Sequence, residues 1–282
     1  MKSKTIAIIG CGAAAVSFIR SFIQQCKSYQ LNHVNLIIFE PASTLGVGLA
    51  YQSDLDNLVI NRPAQTMSAN LVQPGEFFEW MKRTNFILND KKTTKKNYLI
   101  YPSRKIFGYY LSELIETVMS EAIQSNIHVK IIKDSVTQLG KDSPVYIQTK
   151  SSGIFFADYI LLATGNNEPK DFYNLNNTPK YINSPYPLYK KLSAIGSNET
   201  VGILGNSLTA IDITLSLDYL RHNSNITMLS RLNVSPRVRA ERIAPYQLQF
   251  LTTSRIQKKN DKITLRDILR LFRKELKQNG IS

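Results

Sequence analysis

The sequence predicts an α/β fold, because an apolar strand, a glycine turn and a helix follow one another twice along the chain, at 5–15 and at 200–210. Glycine in such a turn lets backbone N–H groups approach a pyrophosphate, and the helix that follows presents its positive N-terminus to the phosphates. The pattern therefore predicts two Rossmann-like dinucleotide-binding domains, with a three-layer parallel sheet and a β-hairpin or meander layer. We place the first domain at 1–195 and a second, partial domain with a basic C-terminal helix at 196–282.

The first glycine turn stands in the context that a dinucleotide site requires. A helix is predicted from 13 to about 29, and an apolar strand at 34–39 ends directly before Glu40. An acid at the end of the second strand binds the ribose hydroxyls in such sites, so we predict that Glu40 is the ribose ligand, with a solvated strand-end carboxylate as the alternative. The residues predicted to form the phosphate turn are Gly10, Gly12, Ala13, Ala14 and Ala15.

The start of the chain also has features of a targeting signal, because lysines precede an apolar stretch and Ala13–Ala15 has the form of a cleavage site. Cleavage there would remove the first strand and its glycine turn while leaving the second strand and its acid. We therefore interpret the segment as part of the fold. No other apolar run reaches the roughly eighteen residues that a transmembrane helix needs, so we expect a cytoplasmic protein without a transmembrane segment.

Composition limits the chemistry that the chain can carry. It has 282 residues, of which 43% are hydrophobic, enough to bury substantial cores. Its two cysteines, Cys11 and Cys26, form neither a disulfide framework nor a metal set, and its three histidines lie apart in the sequence. We therefore expect no metal site and no histidine-based triad, and the sequence marks no residue as a catalytic acid or base.

Several short motifs follow one another between the two glycine turns. They are the loop Gly46–Tyr51, the segment Asn61–Pro63 followed by Met67 and Ser68, the segment Tyr101–Arg104, and the strand end Ala163–Asn166. In this order the motifs resemble the FAD/NAD(P)-binding oxidoreductase family, a branch of the two-dinucleotide flavoproteins that is similar to flavin monooxygenases and to the N-hydroxylating ornithine and lysine monooxygenases. The resemblance extends from about residue 5 to residue 231.

The resemblance implies that the first turn binds FAD. The turn residues given above would hold the pyrophosphate, and Glu40 would hold the ribose. The residues that it places along the flavin are Gly46, Gly48 and Tyr51, and those in the segment near the isoalloxazine are Asn61, Met67 and Ser68. Thr164 and Gly165 would lie where the chain crosses from the FAD domain to the NAD(P) domain.

Arg104 is a candidate for which the residues leave two roles open. It directly precedes a helix that we predict from about 106 to 125. An arginine at such a place either clamps an anion, such as a phosphate or the reduced flavin, or forms a surface ion pair.

The second turn departs from the full dinucleotide pattern. Ser207 stands where the second glycine would be, and its small side chain carries a hydroxyl that can donate to a phosphate. A helix is predicted at 208–221 and a strand at 225–229, which ends not at an acid but at Ser230 and Arg231. An arginine there accommodates a 2′-phosphate, so we predict NADP rather than NAD, with an ordinary surface arginine as the alternative. The residues predicted for this site are Gly205, Asn206, Ser207, Leu208 and Arg231.

The last fifth of the chain is strongly basic. Residues 231–282 contain thirteen Lys or Arg and four Asp or Glu, in a chain with a net charge of +14. A helix capped by Thr264 is predicted to run to Gly280 with separate apolar and basic faces. We favour a packing helix of the second domain, and the alternative is an arm that binds a membrane surface or nucleic acid. Aromatic residues are sparse there, so we expect no specific nucleic acid.

The two glycine turns, together with what the family resemblance implies, predict an NAD(P)H-dependent FAD flavoprotein oxidoreductase of a monooxygenase-like kind that acts on a small-molecule substrate. NADPH would reduce the flavin, which would pass its electrons to oxygen or to that substrate. Flavoproteins of this kind have a C-terminal segment that closes over the flavin. We expect this chain to lack it. The molecule would then be either a truncated or minimal variant, or one whose missing part a second copy or a partner chain supplies. The alternative is a non-catalytic FAD or NAD(P) sensor or a subunit of an assembly.

Overall fold

The computed structural model describes residues 3–31, 33–70, 72–86, 99–166, 168–232, 234–236, 248–257 and 263–278. Its strands are β1 (Lys4–Ile9), β2 (Val34–Phe39), β3 (His128–Ile132), β4 (Val136–Leu139), β5 (Val145–Thr149), β6 (Ile154–Ala157), β7 (Tyr159–Leu162), β8 (Val201–Leu204) and β9 (Ile226–Leu229). Its helices are α1 (Ala13–Ser28), α2 (Glu76–Arg83), α3 (Arg104–Gln124), α4 (Leu188–Leu192), α5 (Leu208–Tyr219), α6 (Thr253–Gln257) and α7 (Leu265–Gln278).

The chain divides into two compact units, Met1–Ser235 and Pro236–Ser282. Both glycine turns lie in the first unit. The domain boundary predicted between residues 195 and 196 falls inside that unit and stays a prediction.

A four-stranded parallel sheet forms the centre of the first unit, in the order β3-β2-β1-β7. Most residues of β1 and β2 are apolar, with isoleucine the commonest, as expected for strands that are covered on both faces. Ile9 pairs with Phe39 and with Leu162, and Phe39 pairs with Ile132, so the four strands end at the same level. The loops that follow them therefore meet at one edge of the sheet, where ligands bind in open α/β sheets.

Helices cover one face of this sheet and a second sheet covers the other. Ile8 and Leu36 point to the face on which α1 and α3 pack, within the largest hydrophobic core. Ala7 and Phe39 point to the opposite face and pack against Ile147 of the antiparallel sheet β4-β5-β6. This three-layer arrangement confirms the predicted fold class, including its meander layer.

The segment around the second glycine turn repeats the first on a smaller scale. β8 and β9 pair in parallel, from Val201 opposite Ile226 to Leu204 opposite Leu229, and α5 connects them. Leu217 of α5 packs in a hydrophobic cluster with residues of α4. The order of strand, helix and strand is that of β1, α1 and β2, as the sequence predicts.

The described residues of the second compact unit include α6 and α7. A capping box begins α7, because the Asp267 N–H donates to Thr264 Oγ1 (3.3 Å) and the Thr264 N–H donates to Asp267 Oδ2 (3.2 Å). The predicted helix start is thereby confirmed. The predicted end at Gly280 lies outside the described residues.

No helix within the described residues combines the length and the apolar character that crossing a bilayer requires. No three side chains of His, Cys, Asp or Glu within them are grouped so that they could hold a metal ion.

Candidate dinucleotide sites

The first glycine turn connects β1 to α1 at the edge of the parallel sheet. The Gly10 N–H donates to Phe39 O (2.8 Å), which ties the turn to the end of β2. Gly10 has φ +90°, and a Cβ there would overlap the carbonyl oxygen of Ala163 just beyond β7. The fold itself therefore requires glycine at this position.

We expect Gly10→Ala to destabilise the protein. The substitution places a side chain on a left-handed backbone and against Ala163, and we expect the free energy of unfolding to fall by about 2–4 kcal/mol. Denaturant titration followed by circular dichroism measures the loss. A midpoint equal to that of the wild-type protein would contradict this interpretation of the turn.

Gly12 differs from Gly10 because no backbone strain requires glycine there. It has φ −88° and caps α1, and its carbonyl oxygen accepts from the Val16 N–H (3.0 Å). A Cβ on Gly12 would make an ordinary contact of 3.7 Å with the Cα of Gly48. The missing side chain leaves the N-terminus of α1 open, which is the geometry that a bound phosphate needs.

A second glycine loop lies directly against the first turn. The Gly46 N–H donates to Cys11 O (2.7 Å), and a Cβ on Gly46 would lie 2.8 Å from Leu111 O of α3. A Cβ on Gly48 would lie 3.4 Å from the Cα of Gly12. Two backbones without side chains thus meet at the sheet edge, and they leave a smooth surface on which an extended cofactor can lie.

Tyr51 supports the second glycine loop through packing. Its N–H donates to Val47 O (3.2 Å), and its ring packs edge-on against Phe107 with the centroids 4.8 Å apart. Burial raises the pKa of the Tyr51 phenol. The ring therefore joins the loop to α3, and its predicted place along the flavin stays a prediction.

Glu40 stands at the end of β2, beside the first turn. Its Oε2 accepts from the Cys11 N–H (2.8 Å), and its Oε1 accepts from the Ala42 N–H (2.9 Å). The carboxylate is thus held next to the first glycine turn, and its predicted role as the ribose ligand stays a prediction. Burial raises the pKa of the Cys11 thiol to about 11, so the thiol stays protonated and is a poor nucleophile at neutral pH.

Lys133 lies at the same edge, although the sequence analysis did not single it out. Its Nζ donates to the carbonyl oxygens of Ala42 and Ser43, at 2.9 Å each, and so fixes the turn that follows Glu40. A signal was available in the sequence, because Lys133 directly follows the two isoleucines that end β3. Parallel strands end at one edge, which places Lys133 beside the end of β2.

The end of β7 completes the site. The Ala163 N–H donates to Ile9 O (2.8 Å), and Thr164 follows beside Gly10. Gly165 has φ +68° with open space at its Cβ position. The structure thus brings together at one edge the candidates Gly10, Gly12, Ala13, Ala14, Ala15, Glu40, Gly46, Gly48, Thr164 and Gly165.

The three candidates predicted near the isoalloxazine have contacts of another kind. Ser68 Oγ accepts from the Asn70 N–H (2.8 Å) and lies 3.5 Å from the carboxylate of Glu76 on α2. Met67 packs against the main core, and Asn61 is exposed. These contacts explain how the segment is held, and its role toward a flavin stays a prediction.

Arg104 forms an ion pair, which is one of the two roles that the sequence left open. The pair is, however, largely buried and does not lie on the surface. Arg104 Nη2 donates to Asp212 Oδ2 of α5 (2.7 Å), and only 23% and 16% of the two side chains are exposed. The Tyr186 hydroxyl donates to the same oxygen (2.7 Å). Burial alone would lower the pKa of Arg104, but Tyr186 and Asp212 hold it above its usual value. The residue therefore joins α3 to the helix of the second turn.

The start of α3 explains this placement. The sequence predicted a helix from about 106, with Arg104 before it, whereas α3 begins at Arg104. Ser103 takes the extended N-cap position (φ −63°, ψ 149°), so Arg104 belongs to the first turn of the helix and its direction is fixed.

We expect a measurable coupling between the two charges. Arg104→Gln and Asp212→Asn, made singly and together, should give a coupling free energy of about 1–3 kcal/mol, because both groups have lost most of their solvent. The exposed pair of Lys82 and Glu79 is the control, and its coupling should not exceed about 0.5 kcal/mol. Denaturant titrations of the six variants provide the values. If the coupling free energy were the same in both pairs, the ion pair of Arg104 would not be a stabilising link between the helices.

The second glycine turn reproduces the backbone geometry of the first. The Gly205 N–H donates to Leu229 O (2.8 Å), as Gly10 does to the end of β2, and Gly205 also has a positive φ, of +128°. The Ile211 N–H donates to Ser207 O (3.1 Å) at the start of α5. Ser207 therefore corresponds to Gly12, and its φ of −107° explains why a side chain is tolerated there.

The strand ends show how the two turns differ. The residue after β2 is Glu40, and the residue after β9 is Ser230, so the second turn has a hydroxyl where the first has a carboxylate. Ser230 Oγ is buried and has no hydrogen-bond partner among the described residues. Arg231 follows and is exposed, and Asn206 Nδ2 donates to Ser235 Oγ (3.1 Å) across the turn. Leu208, the remaining candidate, is the exposed first residue of α5.

Comparison with known proteins agrees with this geometry. A family model described as FAD-NAD(P)-binding matches residues 7–167, which include the first turn, Glu40 and the end of β7. No curated protein matches the sequence.

Several solved structures match the chain. One is the FAD-bound cadaverine monooxygenase of the desferrioxamine pathway from Erwinia amylovora, at a TM-score of 0.53 and 16% identity over 81% of this chain and 51% of that one. A flavin-containing monooxygenase from Stenotrophomonas maltophilia matches at a TM-score of 0.47 and 15% identity, over 100% of this chain and 69% of that one. A bacillithiol disulfide reductase from Staphylococcus aureus matches at a TM-score of 0.45 and 17% identity, over 81% of this chain and 58% of that one. The chain thus spans between about half and two thirds of these proteins.

Proposed function

The chain belongs to the FAD-NAD(P)-binding family, and on that premise we propose that it is an NAD(P)H-dependent FAD flavoprotein oxidoreductase. The observation that carries the proposal is that one compact unit contains the same turn twice. In each turn the glycine N–H donates over 2.8 Å to the end of a parallel neighbouring strand, and a helix begins three residues later. Two dinucleotides bound by one chain allow a hydride to pass from one to the other.

We assign FAD to the first turn. The bare backbones of Gly12 and Gly48 form a cradle that a side chain on either would narrow, and the N-terminus of α1 opens onto it. The positive end of a helix favours a pyrophosphate there. Glu40, held beside this turn by backbone N–H groups, would bind the ribose hydroxyls, and Lys133 holds the turn that follows Glu40. The residues present therefore fit the adenine-dinucleotide part of the cofactor.

We assign NADP to the second turn. A carboxylate in the position of Ser230 would repel a 2′-phosphate, and the chain has none there. The unpartnered Ser230 hydroxyl supports a polar ligand at this point, and Arg231 supplies the cation. Ser207 can add a hydroxyl toward the pyrophosphate at the N-terminus of α5.

The chemistry belongs to the cofactors, whereas the chain supplies their placement. When bound, FAD would take a hydride from NADPH and pass the two electrons to oxygen or to a small organic substrate. We assign no part in this exchange to the Cys11 thiol of the first turn, whose pKa is raised by burial. The ion pair between Arg104 and Asp212 joins α3 to α5, the helix that begins at the second turn.

The setting of the reaction is part of the same proposal. Both cysteines are buried and unpaired, which suits the reducing cytoplasm. A second copy or a partner chain would contribute to the substrate pocket, and the exposed apolar side chains Leu162, Leu204 and Leu229 at the strand ends support such an association.

Cofactor analysis of the purified protein tests the assignment. Heat-released ligand, separated by chromatography, should contain FAD and not FMN, and the protein should oxidise NADPH faster than NADH when FAD is added. A protein that contains no flavin and gains no NADPH oxidation from added FAD would contradict the proposal. Bound FAD without NADPH oxidation would instead support a binding or sensing role.

A further inference from the structure

α7 has two side-chain stripes that run side by side along its length. Leu265, Leu269 and Phe272 are spaced by four and three residues and therefore share one face of the helix. Each has 45% or more of its surface exposed. A basic stripe has the same spacing one residue later, and it consists of Arg266, Arg270, Arg273 and Lys277, with Lys274 beside them.

The acidic residues of α7 are withdrawn from this surface. Asp267 is part of the capping box with Thr264. Glu275 is buried, and its carboxylate accepts from the backbone N–H groups of Gln249, Phe250 and Leu251 at 2.8 to 2.9 Å. The exposed surface of α7 is therefore apolar on one stripe and cationic on the next, and its acids fix the helix within its unit.

We propose that α7 binds the surface of an anionic phospholipid bilayer, lying in the membrane interface. A helix that is apolar on one side and rich in Lys and Arg beside it inserts its apolar stripe between headgroups while the cations contact lipid phosphates. The 14 residues of α7 extend about 21 Å, so both stripes can contact a flat surface along their whole length.

The two stripes of α7 favour a lipid surface over a nucleic acid or a second copy of the chain. A nucleic-acid backbone would pair with the basic stripe but would leave Leu265, Leu269 and Phe272 in water. If two copies paired through the apolar stripes, their basic stripes would come together and repel each other. Both acids of α7 are already engaged within its unit, Asp267 with Thr264 and Glu275 with backbone N–H groups. Acyl chains and lipid phosphates together satisfy both stripes.

Vesicle co-sedimentation of the full chain tests the proposal. We expect binding to vesicles of phosphatidylcholine with a third of phosphatidylglycerol, and none to phosphatidylcholine alone. Arg270→Gln combined with Lys274→Gln should weaken binding about 25-fold, since each cation near an anionic surface contributes about fivefold. Leu269→Gln combined with Phe272→Gln should weaken it at least about tenfold.

Matched variants separate this proposal from the alternatives. Lys190→Gln combined with Lys191→Gln removes two exposed cations of α4 and should leave binding unchanged, as should Leu269→Ile combined with Phe272→Leu. Equal binding to both kinds of vesicle would overturn the proposal. An α4 variant that loses as much vesicle binding as the α7 variant would also overturn it. The same holds if the Leu269 and Phe272 variant binds vesicles as the wild type does and changes only the oligomeric state or the unfolding midpoint.

Discussion

Gly12→Ala should purify without bound flavin and yet unfold at the same denaturant concentration as the wild-type apoprotein. The backbone at Gly12 is compatible with any residue, and the new Cβ would meet only the Cα of Gly48 at 3.7 Å. The methyl group would, however, occupy the cradle where the pyrophosphate approaches α1. We expect FAD affinity to fall at least about 100-fold, which corresponds to the loss of about 3 kcal/mol of phosphate contacts.

Gly75→Ala is a closely matched control. Gly75 also caps a helix, has φ −92°, and offers a Cβ an ordinary contact of 3.7 Å, with Gln65 O. Both variants add the same methyl group at a helix N-cap, and only one lies at the proposed site. Flavin content by absorbance and the unfolding midpoint by circular dichroism give the comparison. Equal flavin content in both variants would remove Gly12 from the site.

Arg231→Glu should reverse the preference between the two nicotinamide cofactors. The change removes the proposed cation for the 2′-phosphate and puts a carboxylate in its place, beside Ser230. We expect the ratio of kcat/KM for NADPH to that for NADH to fall about 10- to 100-fold, as for the loss of one charged hydrogen bond. NADH, which has no 2′-phosphate, should be affected little.

Arg221→Glu is the control, because it makes the same change in net charge away from the proposed site. Arg221 is exposed and lies just beyond the C-terminal end of α5, whereas the glycine turn lies at the N-terminal end. Steady-state oxidation of both cofactors at fixed ionic strength gives the ratios for the two variants. If both shift the ratio alike, the preference follows from net charge and Arg231 has no specific role.

Local sequence signals predicted most of the fold. The strand at 34–39 has the predicted bounds, because an apolar run that only Asn35 interrupts ends at a charged residue. The helix starts at Ala13 and after Thr264 follow from a glycine turn and a capping box, which act over three or four residues. The meeting of the glycine loops at one edge then follows from the parallel order of the strands.

The contacts between distant side chains could not be predicted in the same way. Arg104 and Asp212 are 108 residues apart, and Lys133 and Ala42 are 91 apart. No periodicity encodes such a pair, since it depends on how α3 packs against α5 or how β3 is placed beside β2. The sequence pattern also treats Gly10 and Gly12 alike. Only the backbone angles separate the glycine that the fold requires from the glycine that leaves room for a phosphate.

The most direct measurement is the visible absorption spectrum of the purified protein before and after NADPH is added without oxygen. We predict a yellow protein with bound FAD that bleaches on addition of NADPH and regains its colour when air is admitted, because a hydride passes from the second dinucleotide to the first. A protein that stays colourless after incubation with FAD, or a yellow protein that NADPH does not bleach, would contradict the proposed oxidoreductase.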